Sequence, residues 1–250
     1  MSAIDGQSTE FGVPAGKLSG EMRSRWLTEV RRLIEVTRSR RHAYNYSVCD
    51  IELTILPDVF SPAYFADSTC FATIIASMTG TKRLLDIGTG TGIVALFAAL
   101  KGADVIATDV SPQAVRNAQI NFDKYNVSTT ALEGDMFAAV PADQKFDFIF
   151  WNHPFNSGDN PNGDPLSLCC FDYQYHGLKR YIRRGHDFLA PGGRHLLGTS
   201  TLADLSNIQA LARNAGYDID TLHRENFLMQ QFGAAIFEYR ICEFVHAKSR

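Results

Sequence analysis

The stretch Arg83-Leu84-Leu85-Asp86-Ile87-Gly88-Thr89-Gly90-Thr91-Gly92-Ile93 constrains this chain more than any other. A short apolar run ends in an acid, passes through alternating glycines and enters a second apolar run reaching Leu100. That pattern reads as strand, tight turn and helix. Glycine permits both the unusual dihedrals and the close approach of backbone to a ligand, because it has no Cβ. The spacing then narrows the ligand. A dinucleotide fingerprint needs G-x-G-x-x-G, with backbone at the pyrophosphate. Its third glycine would fall on Ile93, so the turn predicts a nucleoside ligand without a pyrophosphate.

The next strand points to the same ligand. Asp104-Val105-Ile106-Ala107-Thr108-Asp109 is an apolar run with an acid at its carboxyl end. That is roughly the 20-residue offset at which an acid reads ribose hydroxyls. Ser111-Pro112 then marks a helix start, with serine as N-cap and proline at the first helical position. The D-x-G-x-G-x-G arrangement resembles motif I of the class I methyltransferases, which bind S-adenosylmethionine (SAM). The resemblance implies that Asp86, Gly88, Thr89, Gly90 and Asp109 hold SAM. It also implies that Asp135 accepts from the adenine amino group and that the Met136 backbone completes that contact.

Along the chain, residues 1 to 17 are small and polar and are expected to be mobile. A helix is expected from Ser19 to about Arg41, with Trp26, Val30, Leu33 and Ile34 on one face and seven arginines on the other. Tyr44 to Phe60 reads as strand or extended chain. A loop at 61–69 follows, with Asp67 or Ser68 capping the next helix and Tyr64 and Phe65 placed to close over a cofactor. Strands are expected at 83–87, 104–109, 128–132, 146–151, 194–200, 217–224 and 234–246. Helices are expected at 92–101, 112–125, 176–189 and 204–215. The alternation predicts an α/β fold, a doubly wound seven-stranded sheet of the class I methyltransferase kind with its last strand antiparallel, plus an N-terminal helical extension. Two units are expected: residues 1–79 as extension and cofactor cover, and residues 80–250 as the SAM-binding domain.

In open α/β sheets ligands bind beyond the carboxyl ends of the strands. The strand Phe146 to Trp151 delivers Asn152-His153-Pro154-Phe155 to that end. This resembles the N-P-P-[YF] motif of methyltransferases acting on planar amides and exocyclic amines, such as the release-factor glutamine and adenine-N6 DNA enzymes. By that resemblance, Asn152 presents its carbonyl to a substrate N–H, a backbone carbonyl of the proline turn takes the second N–H, and Phe155 stacks on the planar group. Catalysis is then mostly orientation, with nucleophile and carbon brought to roughly 3–3.5 Å. His153 departs from the pattern by replacing the first proline; its readings are a base or a solvent-facing loop residue. Beyond it, Asn156 to Pro165 is a polar loop of the kind that carries substrate contacts. Phe171, Tyr173 and Tyr175 alternate, so an aromatic face with Tyr173 or Tyr175 against the sulfonium is expected. Asp172 is a weaker candidate for a substrate ammonium.

Composition sets the remaining expectations. The 250 residues carry a net charge of −3, 45% hydrophobic and 20% charged residues. This mild acidity favours a small-molecule substrate and disfavours nucleic acid, where phosphate contacts dominate affinity. Five cysteines without metal spacing are expected as reduced thiols, with no metal bound. Without a run long and apolar enough for a membrane, the chain is expected to be cytoplasmic. The leading function is SAM-dependent methyl transfer to nitrogen of a small molecule. Two alternatives stand beside it. One is intramolecular cyclisation of SAM to azetidine-2-carboxylate and methylthioadenosine, resembling the methyltransferase-like azetidine-2-carboxylate synthases, with SAM as sole substrate. The other is a non-catalytic SAM-binding regulator.

Overall fold

The computed structural model describes residues 20–158, 163–229 and 235–247. The expected mobile tail at 1–17 therefore lies outside the described residues, as do Ser19, part of the 156–165 loop and Ala234. In chain order, helix α1 (Gly20–Ser39) precedes a hairpin of β1 (Tyr44–Val48) and β2 (Ile51–Ile55). Then come α2 (Asp67–Thr79), β3 (Arg83–Ile87), α3 (Ile93–Leu100), β4 (Asp104–Asp109), α4 (Pro112–Lys124), β5 (Thr130–Glu133) and β6 (Phe146–Asn152). The chain continues through α5 (Pro165–Leu168), α6 (His176–Arg184), β7 (Leu189–Ser200), α7 (Leu205–Asn214), β8 (Tyr217–Met229) and β9 (Ala235–His246).

The seven-stranded sheet has the order β5-β4-β3-β6-β7-β9-β8. β3 pairs in parallel with β4 and with β6, β4 with β5, and β6 with β7. β9 runs antiparallel to both β7 and β8. Central strands of such a sheet are covered on both faces, so they read as continuous apolar runs. Accordingly four of the five β3 residues are buried. The chain winds outward from β3 to β5 and then crosses back to β6. The switch point thus lies between β3 and β6, where a crevice opens beyond their carboxyl ends. Ile87 faces Trp151 in that register, which brings the Gly88 turn beside Asn152.

The region before β3 is not purely helical. β1 and β2 form an antiparallel hairpin that α4 clamps through two buried asparagines. Asn121 Oδ1 accepts from the Thr54 N–H at 2.8 Å, and Asn117 Oδ1 accepts from the Leu56 N–H at 2.7 Å. Buried amides satisfied in this way fix the hairpin in place. In α2, Phe71 and Ile75 are fully buried, and Phe71 meets Phe150 of β6 edge-on at 5.9 Å. One hydrophobic cluster therefore crosses residues 79 and 80, from Trp26 of α1 to Phe244 of β9.

Several boundaries differ from expectation, among them the start of β7, at Leu189 rather than 194. The expected helix 176–189 stops at Arg184 and tightens into a 3-10 turn over Gly185–Phe188. There a Cβ on Gly185 would lie 2.2 Å from the His195 ring, so the backbone must pass the imidazole bare. β8 continues to Met229, five residues past expectation, because β9 pairs with it along its length. Backbone pairing, which side-chain alternation does not report, sets that limit.

Candidate functional site

A cavity of about 610 Å³ opens at the switch point, lined by the β3–α3 turn, the ends of β4 and β6, α1, the 60–68 loop and the β8–β9 hairpin. The turn is shaped by its glycines. Gly88 has φ +66°, and a Cβ there would come 3.1 Å from Trp151 Nε1. Gly92 has φ +81°, and a Cβ would meet Phe122 at 2.8 Å. Both positions combine the left-handed conformation with a contact that only glycine avoids. Thr89 Oγ1 donates to Asp86 Oδ2 at 2.6 Å. The Gly90 N–H donates to Asp109 Oδ2 and the Ser111 N–H to Asp109 Oδ1, each at 2.9 Å. A carboxylate has about four acceptor positions, so Asp109 keeps acceptor capacity beyond these backbone bonds.

The remaining expected residues are distributed as follows. Asp86, Gly88, Thr89, Gly90, Asp109, Asp135, Met136, Asn152, Phe155 and Tyr173 all line the cavity. Met136 has φ +54°, an uncommon conformation for a side-chain-bearing residue. Asp135 sits at the rim in a bidentate pair with Arg180, at 2.5 and 3.1 Å. Asn152 Nδ2 donates to Asp67 Oδ2 at 2.6 Å, while Asn152 Oδ1 is buried without a hydrogen-bond partner. His153 is buried, its Nε2 hydrogen-bonded with Thr199 Oγ1 at 2.9 Å and its Nδ1 without a partner. Burial pulls its pKa down to about 3, so the imidazole is neutral and does not face solvent.

Three expectations are corrected. Phe171, Tyr173 and Tyr175 do not form one aromatic face, because the chain after α5 closes in a 3-10 turn over Tyr173–Tyr175 in which Gln174 and Tyr175 both take positive φ, +49° and +54°. Tyr175 is consequently fully buried instead of facing the sulfonium. Its Oη donates to the Phe155 carbonyl at 2.9 Å and accepts from the Asp204 N–H at 3.2 Å, so it props the turn after Asn152. Tyr173, in contrast, is half exposed at the cavity mouth. Asp172 is occupied in the chain itself, accepting the Gly177 and Leu178 N–H groups at 2.8 Å each. Finally, α2 has Ala66 as N-cap with no side-chain cap, and neither Asp67 nor Ser68 fills that place.

Several lining residues escaped the sequence reading. Asp67 appeared there only as a helix cap. Trp26, Val30 and Leu33 were assigned to an apolar helix face, and the same spacing serves the cavity wall. Trp26 Nε1 donates to Asn156 Oδ1 at 3.0 Å, and Asn156 Nδ2 donates to the Cys170 carbonyl at 2.9 Å. α1 is thereby tied to the loop after β6. Phe227, Met229 and Tyr239 reach the cavity from the β8–β9 hairpin, and no local motif announces them.

The electrostatics suit a cation. Asp67, Asp86 and Asp109 line the cavity at 7%, 2% and 9% exposure. Burial raises the pKa of all three, that of Asp86 to about 7. Arg180, which shares the lining, is paired with Asp135 at the rim. The Asp109 carboxylate, the bare glycine turn and the buried acidic wall fit a nucleoside carrying a positive charge, as SAM does. Among the described residues no group of three or more His, Cys, Asp or Glu side chains is placed to hold a metal, and the five cysteines are free thiols. No helix among the described residues is long and apolar enough to cross a membrane.

Comparison with known proteins places the chain in a family. The family model of the methyltransferase small domain matches residues 50–169. A protein of Methanocaldococcus jannaschii with the provisional name protein N5-glutamine methyltransferase is 32% identical over 148 residues, 57% of this chain and 73% of that protein. The bifunctional methyltransferase of Rickettsia prowazekii is 33% identical over 59% of this chain, but the match spans only 30% of its own length. Ribosomal RNA large subunit methyltransferase G of Streptomyces avermitilis is 35% identical over 48% of this chain and 30% of that protein. Among solved structures, a 16S rRNA N2 methyltransferase of T. thermophilus in complex with AdoMet and guanosine superimposes with TM-score 0.59. It shares 21% identity over 81% of this chain and 50% of its own, which shows the common fold.

These relatives overturn the expectation of a small-molecule substrate and of nucleic acid as a disfavoured partner, since they are named for protein glutamine and ribosomal RNA. Net charge misled because it averages over the whole chain, whereas a few side chains around one cavity select an acceptor. The chain belongs to the methyltransferase small domain family, class I methyltransferases whose cofactor is S-adenosylmethionine.

Proposed function

We propose that this chain methylates the nitrogen of a planar –NH2 group carried by a macromolecule, a side-chain carboxamide of a protein being the leading acceptor. One observation carries the reading: Asn152 Oδ1 is a buried acceptor without a partner, on an amide that borders the SAM cradle. An unmet buried acceptor costs about 1–3 kcal/mol, and such a cost is commonly held at sites where a ligand completes the bond. SAM when bound supplies an electrophilic methyl group on a sulfonium and leaves as S-adenosylhomocysteine. Asn152 Oδ1 takes one acceptor N–H and so aims the nitrogen lone pair at that methyl group. Phe155 offers its face to the planar group, on a turn held by Tyr175. His153, being neutral, adds no positive charge beside the sulfonium. The M. jannaschii relative's name supports the carboxamide.

A second reading is an exocyclic amine of an RNA base, favoured by the aromatic walls of Trp26, Phe155 and Phe171. The test incubates the protein with SAM and either glutamine-bearing release-factor protein or ribosomal RNA, with mass spectrometry of both products. Methylation of one acceptor class, lowered by orders of magnitude in Asn152→Ala with SAM affinity kept, is expected. Unchanged turnover in that variant would remove Asn152 from the mechanism. Methylthioadenosine formed catalytically from SAM alone would replace the proposal with cyclisation.

A further inference from the structure

Asp67 stands at the first residue of α2, where an acid ordinarily serves the helix dipole from the surface. Here it is 7% exposed, it lines the cavity, and its Oδ2 takes the Asn152 Nδ2 hydrogen at 2.6 Å. It forms no salt bridge among the described residues; burial raises its pKa, and the hydrogen bonds from Asn152 and from the N–H groups of residues 67 and 68 oppose that rise by favouring the carboxylate. Two consequences follow from elementary electrostatics. An ionised Asp67 can only accept, so in that state Asn152 turns its NH2 toward it, and Oδ1 is left over as the acceptor. A buried carboxylate without a counter-cation also favours a cation in the space it borders.

The two forms of the cofactor differ in that respect, since SAM carries a sulfonium and S-adenosylhomocysteine a neutral thioether. We propose that Asp67 is a positioning residue with two tasks: it fixes the acceptor orientation of Asn152, and it makes the site prefer the sulfonium substrate over the thioether product. The inference rests on the reading of this cavity as the SAM site, and it needs no knowledge of the methyl acceptor. The second task serves turnover, because the attraction disappears when the positive charge leaves with the methyl group.

The test is calorimetric titration of wild type, Asp67→Asn and Asp67→Glu with SAM and with S-adenosylhomocysteine, no acceptor being present. In Asp67→Asn the dissociation constant for SAM is expected to rise about tenfold, some 1.4 kcal/mol, while that for S-adenosylhomocysteine stays within twofold. The second value also shows that the variant is folded. Asp67→Glu, which keeps the charge and displaces it, is expected to retain a preference for SAM over S-adenosylhomocysteine. Equal weakening of both ligands in Asp67→Asn would reduce Asp67 to a structural role and overturn the proposal, as would no change in either. Wild type binding neither ligand would overturn the SAM site itself, and the Asp67 proposal with it. Failure to find an acceptor, with the SAM preference present and lost in Asp67→Asn, would count against the proposed methylation alone.

Discussion

Replacing Asp86 with asparagine is expected to stabilise the cofactor-free protein, and to do so more strongly as pH rises. Asp86 is 2% exposed at the end of β3. Burial lifts its pKa from an ordinary 3.8 to about 7, with the Thr89 hydroxyl opposing and the neighbouring Asp109 adding to the rise. In the unfolded chain this carboxyl ionises near pH 3.8, and in the folded chain near pH 7. Its contribution to stability is therefore greatest below the unfolded value, falls as pH rises through that window, and is lowest above pH 7. At roughly 1.36 kcal/mol per pH unit, the cost is ~1.6 kcal/mol at pH 5 and on the order of 4 kcal/mol at pH 8. Asparagine has the same shape, carries no charge and keeps an acceptor for Thr89. With an unfolding entropy of about 2.1 cal/mol/K per residue, these costs correspond to Tm gains of ~3 °C at pH 5 and ~8 °C at pH 8. Differential scanning calorimetry of both proteins without SAM, from pH 5 to pH 8, measures the difference directly. A constant offset across that range, or a variant that melts below wild type at pH 8, would refute the argument.

The other variants probe the cavity wall. Tyr175→Phe removes the hydroxyl that donates to the buried Phe155 carbonyl; the expected loss is about 1–3 kcal/mol with lower kcat, and an unchanged urea midpoint would contradict it. Asp109→Ala removes the acceptor of the Gly90 and Ser111 N–H groups and the carboxylate proposed to take the ribose, so calorimetry should show SAM binding weaker by about tenfold or more, as loss of charged hydrogen bonds predicts. Gly88→Ala places a Cβ at φ +66° against Trp151; a strain of roughly 1–2 kcal/mol should raise the SAM dissociation constant, and parental affinity would show that the turn tolerates a side chain.

How much was legible in the sequence follows from which interactions are local. β3, β4 and β6, the glycine turn and the Ser111-Pro112 helix start were readable because apolar runs, missing Cβ atoms and caps act within a few residues. The same locality placed Asp86, Gly88, Gly90, Asp109 and Asn152 at strand ends, and the parallel sheet carries all five to one edge. Other features depended on contacts across the chain. Asp67 is separated from Asn152 by 85 residues, and only the packing of α2 on β6 converts a helix-start acid into a partner of that amide. Tyr175 belonged by alternation to an aromatic face on the cofactor, but positive φ at Gln174 and at Tyr175 itself turned it into the core. The hairpin tip that supplies Phe227 and Met229 is set by pairing between β8 and β9. Sequence alone thus determined the α/β fold and the glycine turn and strand ends that border the cavity, which short-range chemistry specifies. Tertiary structure decided which polar atom is left without a partner, which carboxylate stands beside it and which aromatic rings close the wall, because burial and pairing exist only once distant segments meet.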